Sequence, residues 1–149
     1  MNNQHTYEVN IQWESDRKGM MSSPALDQSV EVATPPQFDK GIEGIWSPEH
    51  LFVASVSSCL MTTFLAIAEY SKLDFKALDI KALGKLEKVE GKFMVSEITL
   101  KPVVTISNEK FSDKAERILR KSEESCLISN SVKTKINLEP EIIISEMAL

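Results

Sequence analysis

Tyr7, Val9, Ile11 and Trp13 alternate with Glu8, Asn10 and Gln12, the period-two signature of a half-buried strand. Glu14 to Gly19 reads as a polar turn closing on glycine, and Met20 to Ser22 as a short return strand. Gln28 to Ala33 alternates again until Pro35-Pro36 stops it, and residues 35–46, with Gly41 and Gly44, read as an irregular connection. The longest apolar stretch follows, Ser47 to Ser71. Ser47 suits the helix cap, Pro48 the first helical position, and Glu49 the positive end of the helix dipole. From Leu51 to Ala68 nearly every residue is apolar or small, so the helix is apolar almost all round and belongs inside something. At about 1.5 Å per residue it is about 36 Å long, enough to cross a small domain.

Beyond it, Leu78, Ile80, Ala82 and Leu86 alternate with charged or small residues through Lys88. Glu90-Gly91-Lys92 is a turn, and Phe93 to Ile106 a second strand in which Pro102 marks a bend or an edge. After a break at Ser107 to Lys110, Ser112 serves as a cap with Asp113 first in the helix. Ala115, Ile118, Leu119, Ser122 and Cys126 fall on one face of that helix, leaving Glu116, Arg120 and Glu123 outward. Val132 to Leu138 and Glu141 to Ser145 finish the chain as strands around Pro140. This order predicts an α+β fold, mainly antiparallel sheet around a long central helix, in a single domain over residues 1–149. One chain of this size struggles to wrap such a helix on every side. A dimer whose central helices pack together solves the burial problem.

Composition adds exclusions. The 149 residues are 42% hydrophobic and 26% charged, enough to bury a core. A net charge of −5 without a Lys/Arg run argues against nucleic acid as a partner. A membrane span competes for the long helix, but serines and threonines dilute its apolar run. Glu49, His50 and Glu69 bracket about 19 residues, near the lower limit for spanning, and neither flank carries a basic cluster. The first ten residues lack the pattern of a secretory signal. Two widely separated cysteines make no disulfide scaffold, so a cytoplasmic protein with reduced thiols is the expectation. His5, His50, Cys59 and Cys126 show no metal-ligand spacing, and no nucleotide-binding glycine motif occurs, so neither metal nor cofactor is expected.

The candidate chemistry is therefore sulfur. Cys59 lies among Ser57, Ser58, Thr62 and Thr63, and Cys126 ends the second helix on its inward face before Ser129-Asn130-Ser131. Either could be an ordinary buried thiol; both could face one partly polar cavity. Ser47-Pro48-Glu49-His50-Leu51-Phe52, followed by Ser57-Ser58-Cys59-Leu60 with Cys59 ten positions after Glu49, resembles the helix motif of the OsmC/Ohr family of thiol-dependent peroxidases. Cys126-Leu127-Ile128-Ser129-Asn130 resembles that family's Cys-Pro-x-Ser-Asn/Lys, with Leu127 in the proline position. Arg17-Lys18-Gly19 resembles its Arg-x-Gly, and the likeness runs from Tyr7 to about Ile143.

The resemblance implies an intertwined homodimer with central helices, and a peroxidase that reduces organic hydroperoxides to alcohols. Cys59 would be the peroxidatic residue, passing through a sulfenic acid, and Cys126 the resolving one, closing a Cys59–Cys126 disulfide. An external dithiol would reopen it, and similar family members use lipoyl groups. An isolated thiol with a pKa of about 8.5 is only about 3% ionised at pH 7, so the thiolate needs support. Arg17 is the candidate cation, oriented by a bidentate pair with Glu49. On a straight helix Glu49 lies about 15 Å from Cys59, so the helix starts later, Arg17 bridges the gap, or Glu49 acts across a dimer interface, the arrangement favoured here. Leu51, Phe52, Met61, Phe64 and Leu127 are candidates to line an apolar substrate pocket. His50, Leu127 and the shortened glycine-rich approach Gly41–Trp46 depart from the organic-hydroperoxide branch and point to the broader OsmC-like group. The rival function is a non-catalytic OsmC-like dimer that binds an apolar small molecule or senses oxidation.

Overall fold

The computed structural model describes residues 3–145, in two compact units divided after Leu51. The first holds a three-stranded antiparallel meander, β1 (Asn10–Ser15), β2 (Lys18–Ser22) and β3 (Val30–Ala33), in that spatial order. Its first strand starts later than the alternation suggests, leaving Tyr7 and Val9 outside it, and it is exposed along its whole length. Ile11 and Trp13 are 61% and 73% exposed, so the expected half-burial is not met within one chain. The turn is also tighter than predicted. Asp16 takes a positive φ of 49°, which a short polar side chain tolerates, and Gly19 already lies in β2 opposite Trp13. A side chain at Gly19 would stand 2.8 Å from the carbonyl oxygen of Gln12, so this position holds glycine for close strand approach rather than for the turn.

Residues 35–46 form the irregular connection. Gly41 allows it to fold on itself, because a Cβ there would meet the Pro35 carbonyl at 2.0 Å. The long helix α1 (Pro48–Tyr70) then begins as the sequence suggests: the Ser47 hydroxyl accepts from the N–H of His50 at 3.0 Å and also meets its ring Nδ1 at 2.7 Å.

The second unit contains most of α1, a four-stranded sheet and the shorter helix α2 (Ser112–Glu124). Its frame is a long antiparallel hairpin, β4 (Ala77–Val89) and β5 (Lys92–Ile106), turning at Glu90-Gly91. On the other edge of β5 lie two short strands, β6 (Lys135–Leu138) and β7 (Glu141–Ile144), both parallel to it. The fold is thus α+β and antiparallel-rich, with parallel pairing that the strand pattern did not reveal. Pro102 lies within the central strand rather than at an edge. It is tolerated because β6 pairs with β5 only up to Leu100 and β7 only from Val103, so the proline falls where the ladder is already broken.

Alternate residues of β5 point to one buried face: Ile98, Leu100, Pro102, Val104 and Ile106. Val56 and Leu60 of α1 cluster with Ile98 and Leu100. One to two turns further on, Phe64 and Ala68 join Val104, Ile106 and the inward face of α2, Ala115, Ile118 and Leu119. Asn108 caps a short 3-10 turn (Glu109–Phe111) ahead of α2, and Ser112 lies inside the helix instead of capping it.

The opposite side of α1 is uncovered. Ser58, Met61, Thr62, Leu65, Ala66 and Glu69 are exposed at helical spacing, and in the most apolar window, with mean hydropathy 2.0, only 28% of residues are buried. By length and composition this is the one helix among the described residues that could cross a membrane.

Phe64 is fully buried, with its ring edge-to-face on Phe75 at 5.2 Å. Phe64→Ala should cost about 3–5 kcal/mol in a denaturant titration at fixed protein concentration; a loss under about 1 kcal/mol would mean this is not the core the fold is built on.

Candidate functional site: a polarised thiol pair

Cys59 sits mid-way along α1 on the buried face, flanked by Val56 and Leu60, so helix packing rather than chance turns its sulfur inward. Cys126 is fully buried just after α2 ends. Its N–H donates to the Glu123 carbonyl at 3.2 Å, and its own carbonyl accepts from Asn130 at 3.0 Å, which winds residues 126–131 into a tight turn. That turn aims backbone N–H groups back at the sulfurs. Both cysteines are free thiols.

The fold brings the two close enough that each thiol shifts the other's ionisation. Burial is the largest single influence on Cys59 and pushes its thiol up. Against it act hydrogen bonds from the Cys126 thiol, the Ile128 N–H, the Thr63 hydroxyl and the Leu127 N–H, and their sum holds Cys59 below the ordinary thiol value. The Thr63 contact is 3.9 Å. Cys126 moves the other way: burial pushes its thiol up, and the proton it shares with Cys59 pushes it further, while the hydroxyl and N–H of Ser129 pull back. One proton therefore leaves the pair early and the other late, with the charge resting on Cys59.

Other expectations for the site need amending. Of the hydroxyls on α1, those of Ser57, Ser58 and Thr62 turn back to the carbonyls of Ala54, Ser55 and Cys59 and satisfy themselves within the helix. Thr63, one turn after Cys59, is the one that reaches sulfur. Glu123, expected outward, is half-buried and accepts a 3.0 Å bond from Ser129 Oγ; burial pushes its carboxyl up, with the Ser129 bond acting against that. Leu127 is 67% exposed and Met61 41%. Phe64 is a fully buried core residue rather than an exposed lining one. Phe52 packs at the edge of the second core cluster and lines a surface groove with Met94, Val95 and Val132; Leu51 is half-buried in the first unit.

Arg17 and Glu49 belong to the first unit. Arg17 stands exposed at the β1–β2 turn, which is fastened by Trp13 Nε1 donating to the Asp16 carbonyl at 3.0 Å and by Thr34 N–H donating to the Arg17 carbonyl at 3.2 Å. It lines a shallow groove with Trp13, Thr34 and Pro48. No ion pair joins Arg17 to Glu49 among the described residues. Instead Glu49 Oε1 is buried with no hydrogen-bond partner, a position that calls for a donor. Among the described residues no three His, Cys, Asp or Glu side chains gather as metal ligands.

Residues 39–141 match the family model of the OsmC-like proteins. Both buried free thiols, Cys59 and Cys126, lie within that matched region. The chain belongs to the OsmC-like protein family. It is 22% identical over 140 residues to the uncharacterized protein YmaD of Bacillus subtilis (strain 168), covering 92% of this chain and 93% of that protein. Its fold is similar to that of an OsmC-like protein of unknown function from Vibrio cholerae, with a TM-score of 0.84, 24% identity, and 92% and 99% of the two chains covered. It is also similar to an organic hydroperoxide resistance protein from Elizabethkingia anophelis, with a TM-score of 0.76, 20% identity, and 97% and 100% covered.

Leu127 now gains a physical meaning. Its N–H supports the Cys59 thiolate, and a proline in its place has no N–H to give. Reactivity of Cys59 rises with pH as the thiolate forms, so Leu127→Pro should move that rise to higher pH. Losing one bond of about 1 kcal/mol lowers the alkylation rate on the low-pH side about two- to tenfold. An unshifted profile from a folded variant would show that this N–H does not support the charge.

Proposed function

We propose that this protein is a thiol-dependent peroxidase that reduces organic hydroperoxides to alcohols. The observation that carries the reading is the pair of buried free thiols that influence one another, with Cys59 held below the ordinary thiol value and Cys126 above it. The thiolate attacks the outer oxygen of the peroxide, the O–O bond breaks, and the alkoxide leaves and is protonated to the alcohol. Cys59 is then a sulfenic acid beside Cys126. Condensation forms the Cys59–Cys126 disulfide and releases water. An external dithiol, a lipoyl group being one candidate, restores both thiols by exchange.

Arg17 is assigned to the charge that develops on the peroxide and on Cys59, and Glu49 to orienting it. The buried, unpartnered Glu49 Oε1 supports this, since a guanidinium would satisfy it. Exposed Leu127 and half-buried Phe52 are proposed to receive the alkyl part of the substrate, whereas Met61 lies on the stripe of α1 that a second copy would cover and Leu51 lies in the first unit. The cytoplasm is the proposed location, where reducing conditions keep both thiols free.

The working unit is proposed to be a homodimer. The exposed stripe on α1 is built of small and apolar side chains, with one acid at its end. A second copy of that stripe, related by a two-fold axis, covers it without leaving an open end.

One equivalent of cumene hydroperoxide should remove two thiols per chain rapidly, and a dithiol should return them. Cys59→Ser should abolish the fast phase, and Cys126→Ser should leave a sulfenic acid that dimedone traps. Slow, unselective loss of thiols would favour the binding or sensing reading instead. Separately, sedimentation should give a dimer at micromolar concentration and a monomer for Leu65→Glu. A monomeric parent with full activity would remove the dimer from the account.

A further inference from the structure

The disulfide-forming step, on the reading just proposed, sets a problem that the pair alone does not solve. Cys126 must attack as a thiolate, yet its burial and its bond to Cys59 both keep its proton in place. We propose that Glu123, acting through Ser129, is the base that takes the Cys126 proton when Cys126 attacks the oxidised Cys59.

The placement comes from the turn at the end of α2. Glu123 lies three residues before Cys126 and Ser129 three after it, and the turn closes the two onto each other: Ser129 Oγ donates to Glu123 Oε1 at 3.0 Å. The backbone bonds from Cys126 N–H to the Glu123 carbonyl and from Asn130 N–H to the Cys126 carbonyl hold that closure. Ser129 thus bonds Glu123 across the turn that holds Cys126, and its nearness pulls the Cys126 thiol down. Glu123 is half-buried and makes no ion pair with a cation among the described residues, so its carboxylate is free to accept a proton. Burial raises that carboxyl's affinity for a proton, which narrows its mismatch with a thiol.

In the resting pair the Cys126 proton is directed at the Cys59 thiolate. Oxidation of Cys59 to the sulfenic acid removes that acceptor, and the S–H can turn to Ser129 Oγ. The hydroxyl takes this proton as it passes its own to Glu123 Oε1. Cys126 Sγ bonds to Cys59 Sγ, the S–O bond breaks, and the departing hydroxide takes up the proton held by Glu123. The sum is one sulfenic acid and one thiol giving one disulfide and one water, with no further reactant. Glu123 is here a positioning and proton-accepting residue; peroxide does not touch it.

The test follows the full chain after mixing with one equivalent of cumene hydroperoxide, measuring sulfenic acid by trapping and disulfide by the loss of the second thiol. Glu123→Gln keeps the shape and still accepts from Ser129, so a merely structural role predicts no change. The relay predicts that the ratio of disulfide rate to sulfenic-acid rate falls at least about tenfold, and that Glu123→Asp recovers most of it. It also predicts that the residual disulfide rate in Glu123→Gln climbs with pH, as solution base replaces the carboxylate. Ser129→Ala, which cuts the same path, should lower the ratio similarly and serves if Glu123→Gln does not fold. A ratio within about twofold of the parent in either folded variant overturns the relay. A parent that never loses its second thiol overturns the two-thiol cycle itself, and the two failures are separated by the parent's own thiol count.

Discussion

The mutual influence of two buried thiols on each other's ionisation is the interaction on which the candidate chemistry depends. A thiol buried alone holds its proton, because a low-dielectric surrounding penalises the charged form. A second thiol beside it changes the balance: whichever sulfur also collects backbone N–H groups becomes the anion, and the other becomes its donor. Cys59 collects those of Leu127 and Ile128 together with the Thr63 hydroxyl. The asymmetry of the pair is therefore built from the turn after α2 more than from any neighbouring formal charge.

That turn can be held in place only because the scaffold beneath it is rigid. β5 gives one continuous apolar face, α1 lies on it through Val56, Leu60, Phe64 and Ala68, and α2 closes over its far end. The face of α1 that carries Cys59 inward is the same face that binds the sheet, so the packing that stabilises the unit also fixes the first sulfur. The second is fixed by where α2 stops. Stability and the candidate chemistry share one set of contacts, which leaves the other side of α1 exposed.

Much of this was legible in the sequence where local chemistry is strong. The cap at Ser47, proline at the first helical position and the unbroken apolar run fix α1 within a residue at either end. The Glu90-Gly91 turn between alternating segments fixes the long hairpin. The family was legible too, because its motifs are short patterns of backbone and sulfur in a set order. What stayed hidden depends on contacts between distant positions. Parallel pairing of β6 and β7 with β5 leaves no trace in the alternation of either short strand. Glu123 reads as a solvated helix residue until the turn brings Ser129 onto it. Phe64 has the same composition as a pocket-lining residue, and only Phe75 and the sheet decide that it is core. Leu127 reads as a mere departure from Cys-Pro, although its N–H helps to hold the Cys59 thiol down.

Thiolate absorbance in the ultraviolet, followed across pH for the parent and for Cys126→Ala, tests the polarised pair most directly. The account predicts two separate ionisations in the parent, Cys59 below the ordinary thiol value and Cys126 above it, and a rise in the Cys59 midpoint once its donor is removed. Two thiols titrating together at the ordinary value, with Cys59 unmoved by Cys126→Ala, would contradict it.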